Sequence, residues 1–142
     1  MGFDLVGINP KLNESELQDL KKEYRYLETE DPIKNALYGI HFRNNISWWP
    51  SLWNYVCQIG EDILSIEQMS NGCYNDGIEI TAEQCQMLST IISDQLDSGK
   101  VKQYEMSCNE YMRSRGFGDC FREENVKIFN AFLKRCGGFR IW

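Results

Sequence analysis

Residues Tyr38–Cys57 read YGIHFRNNISWWPSLWNYVC, and they hold three of the four tryptophans and the only histidine of the chain. From Trp49 onward the apolar residues fall at Trp49, Leu52, Trp53, Val56 and Cys57. That spacing of i, i+3, i+4, i+7, i+8 is one face of an amphipathic helix. Ser47 is placed to cap it, with Pro50 in the first turn, where a missing N–H costs nothing. The residue before a proline resists helical geometry, so Trp49 stands either in or just outside the helix. Gly60 is the expected stop. Trp49 and Trp53 are expected core anchors, because large aromatics dominate core burial. Trp48 points about 100° away from Trp49 on such a helix, so the two cannot both be core.

Arg43, Asn44 and Asn45 are expected in the turn entering this helix. Asparagine there usually bonds its own backbone. The functional alternative is a polar rim: guanidinium and amide donors at a helix N-terminus, beside Tyr38 and Trp48, suit an anionic, nucleotide-like ligand.

The length of 142 residues fits a single domain spanning the whole chain, with enough residues to bury a core. Aromatic content of 13% argues against disorder. A net charge of −6 disfavours general nucleic-acid binding through a basic field. It suits an acidic protein that occupies a basic surface on a partner. The opening MGFDLVGINP lacks the basic start and apolar run of a signal peptide, and no membrane-length apolar stretch occurs. The expected location is therefore the cytoplasm, with the six cysteines reduced.

Working outward, Phe3–Val6 reads as a strand ended by Asn9-Pro10. Asn13 or Ser15 can cap a following helix whose stripe is Leu17, Leu20, Tyr24 and Leu27, with heavily charged other faces. Asp31–Leu37 suits a short helical turn. Glu61–Met69 reads as brief helix or irregular chain, and Ser70–Gly77 as a loop rich in Gly, Asn and Asp. Asn75 and Asp76 are there either as turn residues or as a second wall facing Arg43–Asn45. Thr81-Ala-Glu-Gln84 is a capping box, with Ile80 and Cys85 at the flanking hydrophobic positions, opening a helix over 82–98. After Gly99, Val101, Tyr104, Cys108, Tyr111 and Met112 repeat the helical spacing, which allows a bend or a hairpin. Asp119 is a candidate cap for a last helix with core stripe Val126, Phe129, Leu133 and Cys136. Gly137-Gly138 ends it, and Phe139–Trp142 is a candidate strand to pair with Phe3–Val6. The expected fold is mainly α, about five helices with short paired terminal strands: a small α+β domain.

No CxxC occurs and there is one histidine, so the sequence carries no zinc signature and no expected cofactor. A Cys–His nucleophile would have to use His41, and nothing places a cysteine beside it. No phosphate-binding loop, HExxH or GxSxG is present, so nothing demands an enzyme.

GFDLVG at Gly2–Gly7, FRNN and WWPSLWNYV in the central block, NDG at Asn75–Gly77 and CGGFRIW at the end resemble a small uncharacterised family of bacteria and their phages. The resemblance covers about a third of the chain, and residues 14–30 look like an insertion relative to compact members. It implies a prokaryotic or phage cytosolic setting and no stated activity. Phage accessory proteins of this size are often inhibitors of host defence, so the analogy adds weight to that role.

Two partner classes follow. The first is a small nucleotide-like signalling molecule sequestered by Tyr38, His41, Arg43, Asn44, Asn45, Trp48, Asn75 and Asp76. The second is a host defence protein, such as a nuclease or CRISPR effector, occupied by an acidic surface with exposed aromatics. Either is compatible with a homo-oligomer, and neither needs a membrane.

Overall fold

The computed structural model describes residues 2–11, 14–23 and 31–142. Strand β1 (Gly2–Gly7) alternates in burial, with Phe3 and Leu5 inside and Asp4 and Val6 outside. It is followed by α1 (Glu14–Glu23), α2 (Asp31–Leu37), β2 (His41–Asn45), α3 (Trp49–Ile59) and α4 (Ile66–Asn71). The two-residue β3 (Glu79–Ile80), α5 (Ala82–Asp97), α6 (Lys100–Ser114), α7 (Glu123–Arg135) and β4 (Phe139–Ile141) complete the order. This is a small α+β fold with more helices than the five expected. The Asn13 cap and the Tyr24 and Leu27 positions of the expected stripe lie outside the described residues.

The four strands form one antiparallel sheet in the order β2-β1-β4-β3. The first and last strands of the sequence do pair: Leu5 faces Ile141 and Gly7 faces Phe139. Residues 41–45 are therefore strand, where the sequence suggested a turn over Arg43, Asn44 and Asn45. His41-Phe42-Arg43-Asn44 holds one apolar residue, too little to signal a strand locally. The missing stabilisation comes from the ladder with β1, whose register sets Asp4 opposite Arg43 and Leu5 opposite Phe42.

The sheet is covered on one face. Phe3, Leu5, Phe42, Ile80, Phe139 and Ile141 are all buried beneath helices. Trp49 and Trp53 stack at 5.4 Å, and Phe42 meets Phe129 at 5.4 Å. Trp49 begins α3 directly, so it tolerates the following proline inside the helix. Both indole N–H groups are satisfied: Trp49 donates to the Gly72 carbonyl at 2.8 Å and Trp53 to the Met69 carbonyl at 3.2 Å.

Ser47 does not cap α3. The cap position is Trp48, without a side-chain bond, and Asn45 Oδ1 accepts the N–H groups of Ser47 and Trp48 instead. Asp119 does not cap α7 either, because its carboxylate is held by Arg113 at 2.7 and 2.9 Å. Tyr111 is exposed on α6, whose buried face carries Val101 and Asn109 instead. Thr81 and Gln84 form the expected capping box, and Ser65 and Gln68 form a second one. The two glutamine amides bond each other at 2.7 and 2.8 Å, so the starts of α4 and α5 are fastened together.

Gly72 shows how tightly α4 is seated: a Cβ there would collide with the Trp53 indole. Gly72→Ala is expected to destabilise the protein by roughly 1–3 kcal/mol through overpacking. Gly118→Ala, where a Cβ meets nothing within 4 Å, is expected to be near neutral. Thermal unfolding of the two variants checks the contrast; equal midpoints would refute the seating of Gly72 on Trp53.

Candidate functional site

Strand alternation sorts the polar residues of β2 to opposite faces of the sheet. Arg43 and His41 face outward. There Arg43 Nη1 donates to both oxygens of Asp4 at 3.0 and 3.1 Å, and His41 Nε2 lies 2.8 Å from Asp4 Oδ1. Asn44 faces inward beside Phe42, at the end of the sheet where the core gives way to solvent.

Asn44 meets Asn125, the third residue of α7, in a reciprocal amide pair. Asn44 Nδ2 donates to Asn125 Oδ1 at 3.1 Å, and Asn125 Nδ2 donates to Asn44 Oδ1 at 2.8 Å. The second N–H of Asn44 is taken by the Arg43 carbonyl. One N–H of Asn125 is uncommitted among the described residues.

The Asn45 turn then fixes Trp48. With Trp49 drawn fully into the core, the adjacent indole of Trp48 is left half-buried, pointing to the start of α7. The Arg122 guanidinium lies over that indole at 5.1 Å from the ring centre. Arg122 is held there by its neighbour Phe121, which is buried against Tyr55 at 5.4 Å and Tyr104 at 4.7 Å. Burial, and then the nearby Tyr104, push the Tyr55 hydroxyl up to about 12, so it stays a neutral donor to Gln95.

Between these groups lies an open groove of about 370 Å³ lined by Ile33, Asn44, Trp48, Arg122, Glu124, Asn125 and Ile128. A smaller recess of about 130 Å³ continues it toward Ala36 and Phe42. Ile33 from α2 and Ile128 from α7 supply apolar wall. Arg122 and Glu124 set one charge of each sign at the rim.

Of the residues expected in a site, Asn44 and Trp48 line the groove together. Arg43 borders only the smaller recess, and its guanidinium is committed to Asp4 on the far face. Asn45 supports Trp48 by accepting its backbone N–H at Oδ1. Tyr38 packs on Leu37 and Ala131. Asn75 joins two strand ends, donating to the Gly2 carbonyl at 2.8 Å and the Trp142 carbonyl at 2.9 Å, and Asp76 is exposed in the same loop. Arg122, Glu124, Asn125 and Ile128 were not anticipated. The only local hint is a basic residue immediately ahead of an acidic helix start, Arg122-Glu123-Glu124.

Among the described residues no group of three or more His, Cys, Asp or Glu side chains could hold a metal ion. None of their helices is long and apolar enough to cross a membrane. Comparison with protein-family models, with curated proteins and with solved structures finds no match to this chain.

The amide pair is expected to hold the groove's floor. Asn44→Ala and Asn125→Ala should each destabilise by about 1 kcal/mol, with a coupling of roughly 0.5–2 kcal/mol in the double-mutant cycle. Denaturant unfolding of the four proteins measures it. Strict additivity would show that the two amides do not act together.

Proposed function

We propose that this chain is a small non-catalytic binding protein that sequesters a planar, anionic, nucleotide-like molecule in the groove that Trp48 and Arg122 line. The observation that carries the reading is the guanidinium–indole pair at the mouth of an open groove. Such a pair offers a π-surface for a base and a fixed cation for a phosphate. Asn125 adds an amide donor that can read a ring edge. Ligand pockets run from about 300 to 1,000 Å³, so a groove near the lower bound suits one base-sized ring with its sugar and phosphate. Glu124 at the rim works against a ligand with many negative charges, which favours a mononucleotide over a polyphosphate.

The resemblance to a bacterial and phage family supplies the setting: a cytoplasmic protein that removes a host signalling nucleotide, for which binding alone is sufficient. The competing reading, an acidic inhibitor seated on a host protein, draws on the net charge of −6. The outer sheet face lends it little, because its acids are neutralised there: Asp4 pairs with Arg43, and Glu79 with Arg140.

Titration calorimetry against a panel of nucleoside monophosphates and cyclic nucleotides tests the proposal. At least one member should bind, and Trp48→Ala or Arg122→Ala should weaken it about tenfold or more. Arg43→Ala should leave the affinity unchanged. Equal loss in all three variants, or none, would place the ligand elsewhere.

A further inference from the structure

Four of the six cysteines stand in two sulfur–sulfur contacts. Cys85 and Cys136 lie 3.7 Å apart and are fully buried. Cys108 and Cys120 also lie 3.7 Å apart, but Cys108 is only half-buried, so a reagent can reach this pair from solvent. We propose that Cys108 and Cys120 form a redox-active dithiol, which a low-molecular-weight disulfide such as oxidised glutathione converts to an intramolecular disulfide.

The contact is built rather than incidental. Asn109, next to Cys108 on α6, is buried and accepts the N–H groups of Cys120 and Phe121 at 3.0 and 3.1 Å. Its amide nitrogen donates to the Phe121 carbonyl at 2.8 Å. That side chain therefore fixes the backbone of Cys120 against the turn of α6 that carries Cys108. Arg113 and Asp119 close the same loop a second time from the solvent side, and Arg113 holds the Asp119 carboxyl below its usual range. A disulfide bond is about 2.05 Å long, so the two sulfurs need to approach by roughly 1.7 Å. The sequence separation of 12 leaves a loop short enough to have been ordered already by these bonds.

The step balances as thiol–disulfide exchange. The Cys108 thiolate attacks one sulfur of oxidised glutathione and releases a glutathione thiolate. The Cys120 thiolate then attacks the Cys108 sulfur of the mixed disulfide and expels the second. Two protein thiols and one oxidised glutathione become one protein disulfide and two glutathiones. Burial and the hydrogen bond with Cys120 push the Cys108 thiol up to about 11, so the first step is slow at neutral pH and needs an excess of oxidant. The bond formed would pin Cys120 two residues ahead of Arg122. The chemistry does not depend on what the groove binds.

The test is to incubate the folded full-length chain with excess oxidised glutathione at mildly alkaline pH, block remaining thiols with an alkylating reagent, and map peptides without reduction. The expected product is lighter by two hydrogens and links the peptides of Cys108 and Cys120, while Cys85 and Cys136 stay unlinked until the protein is denatured. Cys108→Ser should lose the link, and the oxidised wild type should unfold several degrees above the reduced protein. Alkylation of both Cys108 and Cys120 after oxidation would overturn the proposal. So would a stable mixed disulfide, or a link from Cys108 to any other cysteine.

Discussion

The antiparallel pairing of β1 with β4 is the constraint on which the remaining structure depends. It places the first strand in the middle of the sheet, so that β2 can be added on one side and β4 with β3 on the other. Backbone bonds continue past the ladder: Asp4 and Trp142 exchange N–H and carbonyl contacts at 2.9 and 2.7 Å. Because α7 leads straight into β4 through Gly137 and Gly138, the sheet also fixes the C-terminal end of α7. A 13-residue helix spans about 20 Å, which carries its other end across the core to Trp48. The position of Arg122 over the indole is thus a consequence of strand pairing at the opposite end of the molecule.

The core that α7 crosses is aromatic to an unusual degree. Phe42, Trp49, Phe129, Phe132 and Phe139 form a connected chain of ring contacts from one side of the sheet to the other. Rigid rings of this size leave few alternative packings, so groups at the margin of the cluster inherit defined positions. Asn44 lies at that margin, two residues from Phe42 on the same face, and Asn125 lies one turn from Phe129. Their amide pair closes the core at the groove.

Helices were legible where the periodic pattern and the caps agreed. The Thr81 capping box forms, and the α7 stripe Val126, Phe129, Leu133 and Cys136 is buried. So are Trp49, Leu52, Trp53 and Val56 of the α3 stripe, while Cys57 is half-buried and Tyr55, off the stripe, is buried. The pairing of the first and last strands of the sequence could be anticipated from Phe3–Val6, bounded by Gly2 and Gly7, and Phe139–Trp142, set off by Gly137-Gly138. Strand β2 could not, because a single Phe42 among polar residues acquires its conformation only from β1. That misreading propagated into the site. Treating 43–45 as a turn put Arg43 beside Asn44, whereas a strand sends them to opposite faces. The residues that do join Trp48 come from the start of α7, about 75 positions away in sequence, where no local pattern announces them. The cap of α3 illustrates the same limit: no side chain caps the helix, and Asn45 instead orders the turn ahead of it by accepting the N–H groups of Ser47 and Trp48.

The central claim is that Trp48 and Arg122 together form a ligand site. Nuclear magnetic resonance of the four indole N–H groups during nucleotide titration tests it most directly. Trp49 and Trp53 are internal references, because their N–H groups are bonded to the Gly72 and Met69 carbonyls inside the core. Trp142 reports from the other end of β4. The account predicts a saturable shift at Trp48, accompanied by the Arg122 side-chain resonance, with the other three indoles unmoved. Saturable shifts confined to Trp142, or a silent Trp48 with every nucleotide, would contradict it.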